Sequence, residues 1–130
     1  MPKKILIVDD EKEYARMLAR ALEGEGYAAA VSGDSAEAVS AAKEEKPDLI
    51  IIDIMMPRIS GTELRAELLK DPATQGIPIL FLTGLQAPNY AARSRRQPVK
   101  TIGKSEDLKE LLTAIREALG TGSSESRGRR

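Results

Sequence analysis

Five residues of this chain have the types and positions for chemistry, and each closes an apolar run. Asp9 and Asp10 end "ILIV", Asp53 ends "LIII", Thr83 ends "ILFL", and Lys104 follows "VKTIG". An unpaired carboxylate taken out of water is costly, so an acid at the end of a run like that of Asp53 needs something to offset the cost. If the five share one crevice, three carboxylates meet a hydroxyl and an amine. Acids so close repel strongly and favour a cation. Oxygen-only ligands in an open, wet site suit Mg²⁺, which keeps several waters and often shares its shell with phosphate. A carboxylate can also act as a nucleophile and form an acyl phosphate. The transferred group then needs its oxygens neutralised, one by metal, one by amine and one by hydroxyl. This set supplies each part once.

The surrounding elements decide whether the five can meet. "KKILIVDD" reads as a short buried strand, and from Lys12 the spacing turns helical. Tyr14, Met17, Leu18, Ala21 and Leu22 fall on one helix face, which stops near Gly24 and Gly26. "YAAAVS" is a second strand. "SAEAVSAAKEEK" is a helix with Ser35 as N-cap, ended by Pro47. "DLIIID" is continuously apolar, as in a strand covered on both faces. A loop with Pro57 and Gly61 follows, then the helix "TELRAELLKD" capped by Thr62, the strand "IPILFLT", a short helix in "APNYAARSRRQ", the strand "VKTIG", and the amphipathic helix "SEDLKELLTAIREALG". Leu64, Leu68 and Leu69, and likewise Leu108, Leu111, Leu112 and Ile115, are expected in the core.

Alternating strands and helices give an α/β fold: a parallel sheet with helices on both faces and right-handed crossovers. Five strands predict the flavodoxin-like order 2-1-3-4-5, with the crevice outside the carboxyl ends of strands 1 and 3. Asp9, Asp10, Asp53, Thr83 and Lys104 all fall at such ends, with Asp53 expected at the crevice mouth. Residues 1–120 are expected to form this domain, and "TGSSESRGRR" (121–130) a disordered tail or linker.

Composition narrows the chemistry further. With neither cysteine nor histidine, disulfides, thiolate catalysis, histidine-based triads and Cys/His zinc sites are excluded. No apolar run is long enough for a membrane span, and the N-terminus lacks a secretory pattern, so a cytoplasmic, membrane-free location is expected. Net charge is zero, which gives no global case for nucleic-acid binding. Positive charge is concentrated in residues 84–105, where Arg93, Arg95, Arg96, Lys100 and Lys104 face no acid.

The sequence resembles the response-regulator receiver domains of two-component signalling, over about residues 3 to 119. The acidic pair in "ILIVDDE", the loop "DIMMPRISG", the strand end "FLTG" and the lysine after the fifth strand carry the resemblance. It implies that Asp53 is the phosphoacceptor. Asp10 would bind Mg²⁺ directly, Asp9 through water, and Met55 through its backbone carbonyl; Thr83 and Lys104 would contact the phosphoryl oxygens. The implied partners are a sensor histidine kinase or phosphotransfer protein, and a downstream protein or an output domain beyond residue 130. The domain would signal rather than act as an enzyme, catalysing at most its own phosphorylation and dephosphorylation.

The chain departs from the family pattern in three places. Ser105 stands where a proline usually follows the lysine, Thr101 where a switch aromatic is usual, and Pro98 near the expected exit of the short helix. Thr101 is too small to fill the space an aromatic would take, which predicts that the signal leaves by another route, through the segment after Thr83. Met55 and Leu85, expected beside the hydrolytic water, are apolar and predict a long-lived phosphoryl group. Among other function classes, a phosphatase of the aspartyl type wants a second acid two residues after the nucleophile, where Met55 stands. A nucleotide-binding loop is lacking, since "GKS" at Gly103 has no preceding half-motif. A phosphorylation-independent interaction module is the remaining alternative, favoured by Thr101 and Ser105.

Overall fold

The computed structural model describes residues 2–54, 56, 59–84, 101–104 and 108–120. Five strands form one parallel sheet: β1 (Lys4–Val8), β2 (Ala28–Ser32), β3 (Leu49–Asp53), β4 (Ile79–Thr83) and β5 (Thr101–Gly103). Their order is β2-β1-β3-β4-β5, as the strand–helix alternation requires. The helices among the described residues are α1 (Lys12–Gly24), α2 (Ala38–Glu45), α3 (Gly61–Lys70) and α4 (Leu108–Ala118).

Alternation along the strands builds two cores. Ile5, Ile7, Leu49, Ile51, Leu80 and Leu82 point to one face and pack with Leu18 and Leu22 of α1 and Leu111 and Ile115 of α4. Leu6, Val8, Ile50, Ile52 and Phe81 point to the other face, against Ala38 and Ala42 of α2 and Leu64 and Leu68 of α3. Every residue of β3 is buried. Each of its isoleucines contributes about 1.5–3 kcal/mol by leaving water, which makes β3 the rigid spine that carries Asp53.

Two expected core positions, Leu69 and Leu108, lie elsewhere, as does Met17 of the apolar face read for α1. Met17 is 49% exposed, Leu69 38% and Leu108 39%. On α1 the buried stripe is Ala15, Leu18 and Leu22, so Met17 falls on its flank. On α3 Leu64 and Leu68 take the inward i, i+4 positions and turn Leu69 aside. Leu108 stands in the first turn of α4, ahead of the stripe Leu111, Leu112, Ala114 and Ile115.

Two helix starts differ from the sequence reading. The cap before α2 is Asp34, not Ser35: its carboxylate accepts from the backbone N–H of Ala36 at 2.8 Å and begins a 3₁₀ turn, Ser35–Glu37, so α2 starts only at Ala38. Ser35 is itself buried. The cap of α3 is Ser60, not Thr62, because only Ser60 has a glutamate three residues on. Glu63 N–H donates to Ser60 Oγ at 3.3 Å, and Ser60 N–H donates to Glu63 Oε1 at 3.0 Å, a reciprocal capping box. Ser60→Ala should therefore cost about 1 kcal/mol of stability, read as a lower urea midpoint at unchanged slope, whereas Thr62→Ala should cost much less. The end of α2 follows the sequence more closely. Lys46 caps the helix in a left-handed conformation (φ 50°), its N–H donating to the Ala42 carbonyl at 3.0 Å, and Pro47 next to it cannot continue the helix.

Candidate functional site

Sheet register brings the first two acids together. Val8 pairs with Ile52, so Asp9 and Asp53 each leave neighbouring strands at the same level, about 4.8 Å apart in the pairing direction. Asp53 pairs with Leu82, and the next residue of β4, Thr83, pairs with Gly103. Lys104 follows at once, its N–H donating to the Thr83 carbonyl at 2.8 Å. Four strand ends thus deliver Asp9, Asp53, Thr83 and Lys104 to one place, with Asp10 beside Asp9.

The acids lie deeper than the sequence suggested. Asp9 is fully buried and Asp53 is 3% exposed, whereas Asp10 is exposed. Asp53 therefore lies below the mouth of the crevice and not at it. Against both lies the side chain of Lys104, itself only 13% exposed. Its ammonium lies 2.9 Å from Asp9 Oδ2 and 3.2 Å from Asp53 Oδ2, and it also binds Glu11 Oε1. The ring of Tyr14 is 4.8 Å from the same nitrogen. Burial alone would lower the Lys104 pKa, but hydrogen bonds to Glu11 and Asp9 and the charges of Asp9 and Asp53 outweigh it and raise the pKa above the ordinary lysine range. The ammonium is thus held charged across the whole neutral range.

The acids outnumber this one cation. Oxygens of Asp9, Asp10 and Asp53 come within 4.8 Å of one another. Asp9 Oδ1 accepts from Glu11 N–H at 2.9 Å. Asp9 Oδ2 is buried and, among the described residues, has no hydrogen bond of proper geometry, although the lysine nitrogen stands near it. A buried oxygen held only by charge, beside two further carboxylates, fits a hard divalent cation of the Mg²⁺ type.

The sequence reading named Asp9, Asp10, Asp53, Thr83 and Lys104, and the fold gathers all five at the strand ends. Met55 and Leu85, together with the short helix and basic stretch of residues 85–100, Ser105 and the tail 121–130, lie outside the described residues. Glu11 and Tyr14 were missed as site residues. Tyr14 reads only as one position of the apolar face of α1, and only the "E" following "DD" hints at Glu11. Gly61 also belongs to the site. Its N–H donates to the Ile54 carbonyl at 2.9 Å, and a Cβ there would lie 2.7 Å from the Asp53 carbonyl oxygen and 2.8 Å from Ile54 Cα. The bare glycine lets the chain return directly against the acid.

The sequence model of the response regulator receiver domain matches residues 5–116. The chain belongs to that family. The DNA-binding response regulator MtrA of Mycobacterium tuberculosis is 41% identical over 83 residues, covering 64% of this chain and 35% of the relative. The alkaline phosphatase synthesis transcriptional regulatory protein PhoP of Bacillus subtilis is 42% identical over 83 residues, covering 64% of this chain and 34% of the relative. The matched stretch is thus about a third of the length of these relatives. Among solved structures, a putative response regulator from Chloroflexus aurantiacus superposes with a TM-score of 0.82 at 28% identity, covering 92% of this chain and 98% of that one. The chemotaxis protein CheY4 of Vibrio cholerae gives 0.81 at 25% identity, covering 91% and 99%. This receiver domain therefore has the fold of response regulators along nearly its full length. No helix among its described residues is long and apolar enough to cross a membrane.

Proposed function

We propose that residues 1–120 form a phosphoacceptor receiver domain that takes a phosphoryl group onto Asp53. The donor is the phosphohistidine of a sensor kinase or phosphotransfer protein. The carrying observation is the placing of Asp53 at the buried end of β3, in ligand range of Asp9 and Asp10 and 3.2 Å from the Lys104 ammonium. Family membership supports the same reading.

The chemistry follows from these neighbours. An Asp53 carboxylate oxygen forms the new bond to phosphorus while the phosphorus–nitrogen bond of phosphohistidine breaks, its electron pair leaving with the imidazole nitrogen. Asp9, Asp10, Asp53 and the Met55 carbonyl would hold Mg²⁺, which when bound lowers the repulsion between carboxylate and phosphoryl oxygens. Lys104 would turn its donors to one phosphoryl oxygen and Thr83 its hydroxyl to another. Burial of Asp9 and Asp53 keeps the local dielectric low, which strengthens these interactions. The output is a changed protein-binding surface, read by a downstream protein or by an output domain. The domain acts as a signalling element and not as an enzyme on an outside substrate.

A small phosphodonor tests the reading. The chain should take up label with Mg²⁺ and lose it with chelator, and Asp53→Asn should abolish it while leaving the fold intact by circular dichroism. Undiminished labelling of Asp53→Asn, or of the chelated wild type, would contradict the proposal. A wild type that takes no label would point to phosphorylation-independent binding.

A further inference from the structure

Tyr14 is half-buried on α1, with its ring packed against the Ile5–Ile7–Leu18 core cluster and its centroid 4.8 Å from the Lys104 nitrogen. Among the described residues, the other close partners of that ammonium are Asp9, Asp53 and Glu11. Asp9 and Asp53 are also the groups that a cation and a phosphoryl group would claim. Glu11 is 63% exposed, and a carboxylate so well solvated holds a cation weakly. The aromatic face differs from all three. It attracts the ammonium through its quadrupole, uses none of the N–H donors and, among the described residues, carries no other cation.

We infer that Tyr14 is a positioning residue, whose ring face keeps the Lys104 ammonium over the site when Asp9 and Asp53 turn to other partners. The lysine stem then stays in place while its three donors are released towards phosphoryl oxygens. The phenol supports this arrangement without ionising. Burial raises its pKa; Lys104 pulls it down, and Asp9, Asp53 and Glu11 push it further up, so the ring is neutral at neutral pH. The inference rests on the reading of Lys104 as a phosphoryl ligand given above, and it deepens that reading by naming what holds the lysine.

The test compares Tyr14→Phe, Tyr14→Leu and Tyr14→Met, alone and combined with Lys104→Met. Two quantities are read: the rate of Mg²⁺-dependent labelling by acetyl phosphate, and the urea unfolding free energy with no phosphodonor present. Tyr14→Leu should label about two- to thirty-fold more slowly, the range a cation–π contact spans between exposed and desolvated settings. Tyr14→Phe, which keeps the ring face, should label close to the wild-type rate. In the Lys104→Met background, Tyr14→Leu should slow labelling no further, and the two substitutions should be non-additive in unfolding. Tyr14→Met serves in place of Tyr14→Leu if the leucine variant does not fold. A Tyr14→Phe variant as slow as Tyr14→Leu overturns the inference, as does an undiminished Tyr14→Leu effect without the lysine. If the wild type takes no label, the proposed function fails by itself. The unfolding cycle still decides on Tyr14, with coupling upholding the contact and additivity refuting it.

Discussion

Lys104→Met should destabilise the metal-free domain by about 3 kcal/mol, the low end of what removing one partner of a buried ion pair costs. The lysine lies against a fully buried Asp9 and a nearly buried Asp53, and methionine fills much the same space without the charge. The two acids would then face each other, with Glu11 and Asp10 adding further negative charge. Mg²⁺ should recover much of the loss, and the variant should bind Mg²⁺ on the order of tenfold more tightly than the wild type, since one competing cation is gone. Urea titrations with chelator and with Mg²⁺ measure both effects. The pH dependence has a definite sign. The folded pKa of Lys104 is raised, so its contribution is fully present below the unfolded lysine value and is lost only as pH climbs towards the folded one. The destabilisation should therefore be constant through the neutral range. Equal stability of variant and wild type in chelator would show that the ammonium does not balance these acids.

Gly61→Ala is the second large effect, and it acts through the backbone. The added methyl would meet the Asp53 carbonyl oxygen at 2.7 Å, Ile54 Cα at 2.8 Å and the Asp53 carbonyl carbon at 3.1 Å. None of these is a side-chain end that can swing away, so the chain around Asp53 or the start of α3 must move. Forcing a methyl into such a contact costs about 1–3 kcal/mol, and here the displaced atoms belong to the proposed acceptor. Stability and labelling should therefore fall together, labelling by more than the stability loss accounts for. Gly76→Ala is the control, because a Cβ there meets nothing within 4 Å. Unchanged labelling of Gly61→Ala would show that the return of the chain against Asp53 does not set its position.

How far the sequence was legible depended on the kind of interaction. β1, β3 and β4 are continuous apolar runs covered on both faces, and such runs have no competing interpretation as surface. The alanines of β2 say little alone, and its place came from pairing with β1. The meeting of Asp9 and Asp53 followed from topology, because strands adjacent in a parallel sheet end at the same side. The helix starts were harder to read. Ser60 and Thr62 both offer a hydroxyl, and Glu63 at the right spacing decides for Ser60. Met17, Leu69 and Leu108 fit an apolar helical stripe as well as their buried neighbours do, and only the position of the sheet separates them. The partners of Lys104 were least accessible of all. A four-carbon side chain can reach several places, and nothing in the spacing of Glu11 or Tyr14 says that it turns towards them.

The contacts of Lys104 also have a consequence for how the chain acquires its site. The lysine reaches Asp9 across 95 positions of sequence and Asp53 across 51. Closing pairings so distant in sequence costs more chain entropy than closing a local turn, and it slows folding. A fragment ending before β5 would lack the ammonium that lies against both Asp9 and Asp53. The residue after the last, short edge strand thus supplies charge to the end of the first, so this ion pair reports that β1 and β5 stand in one sheet.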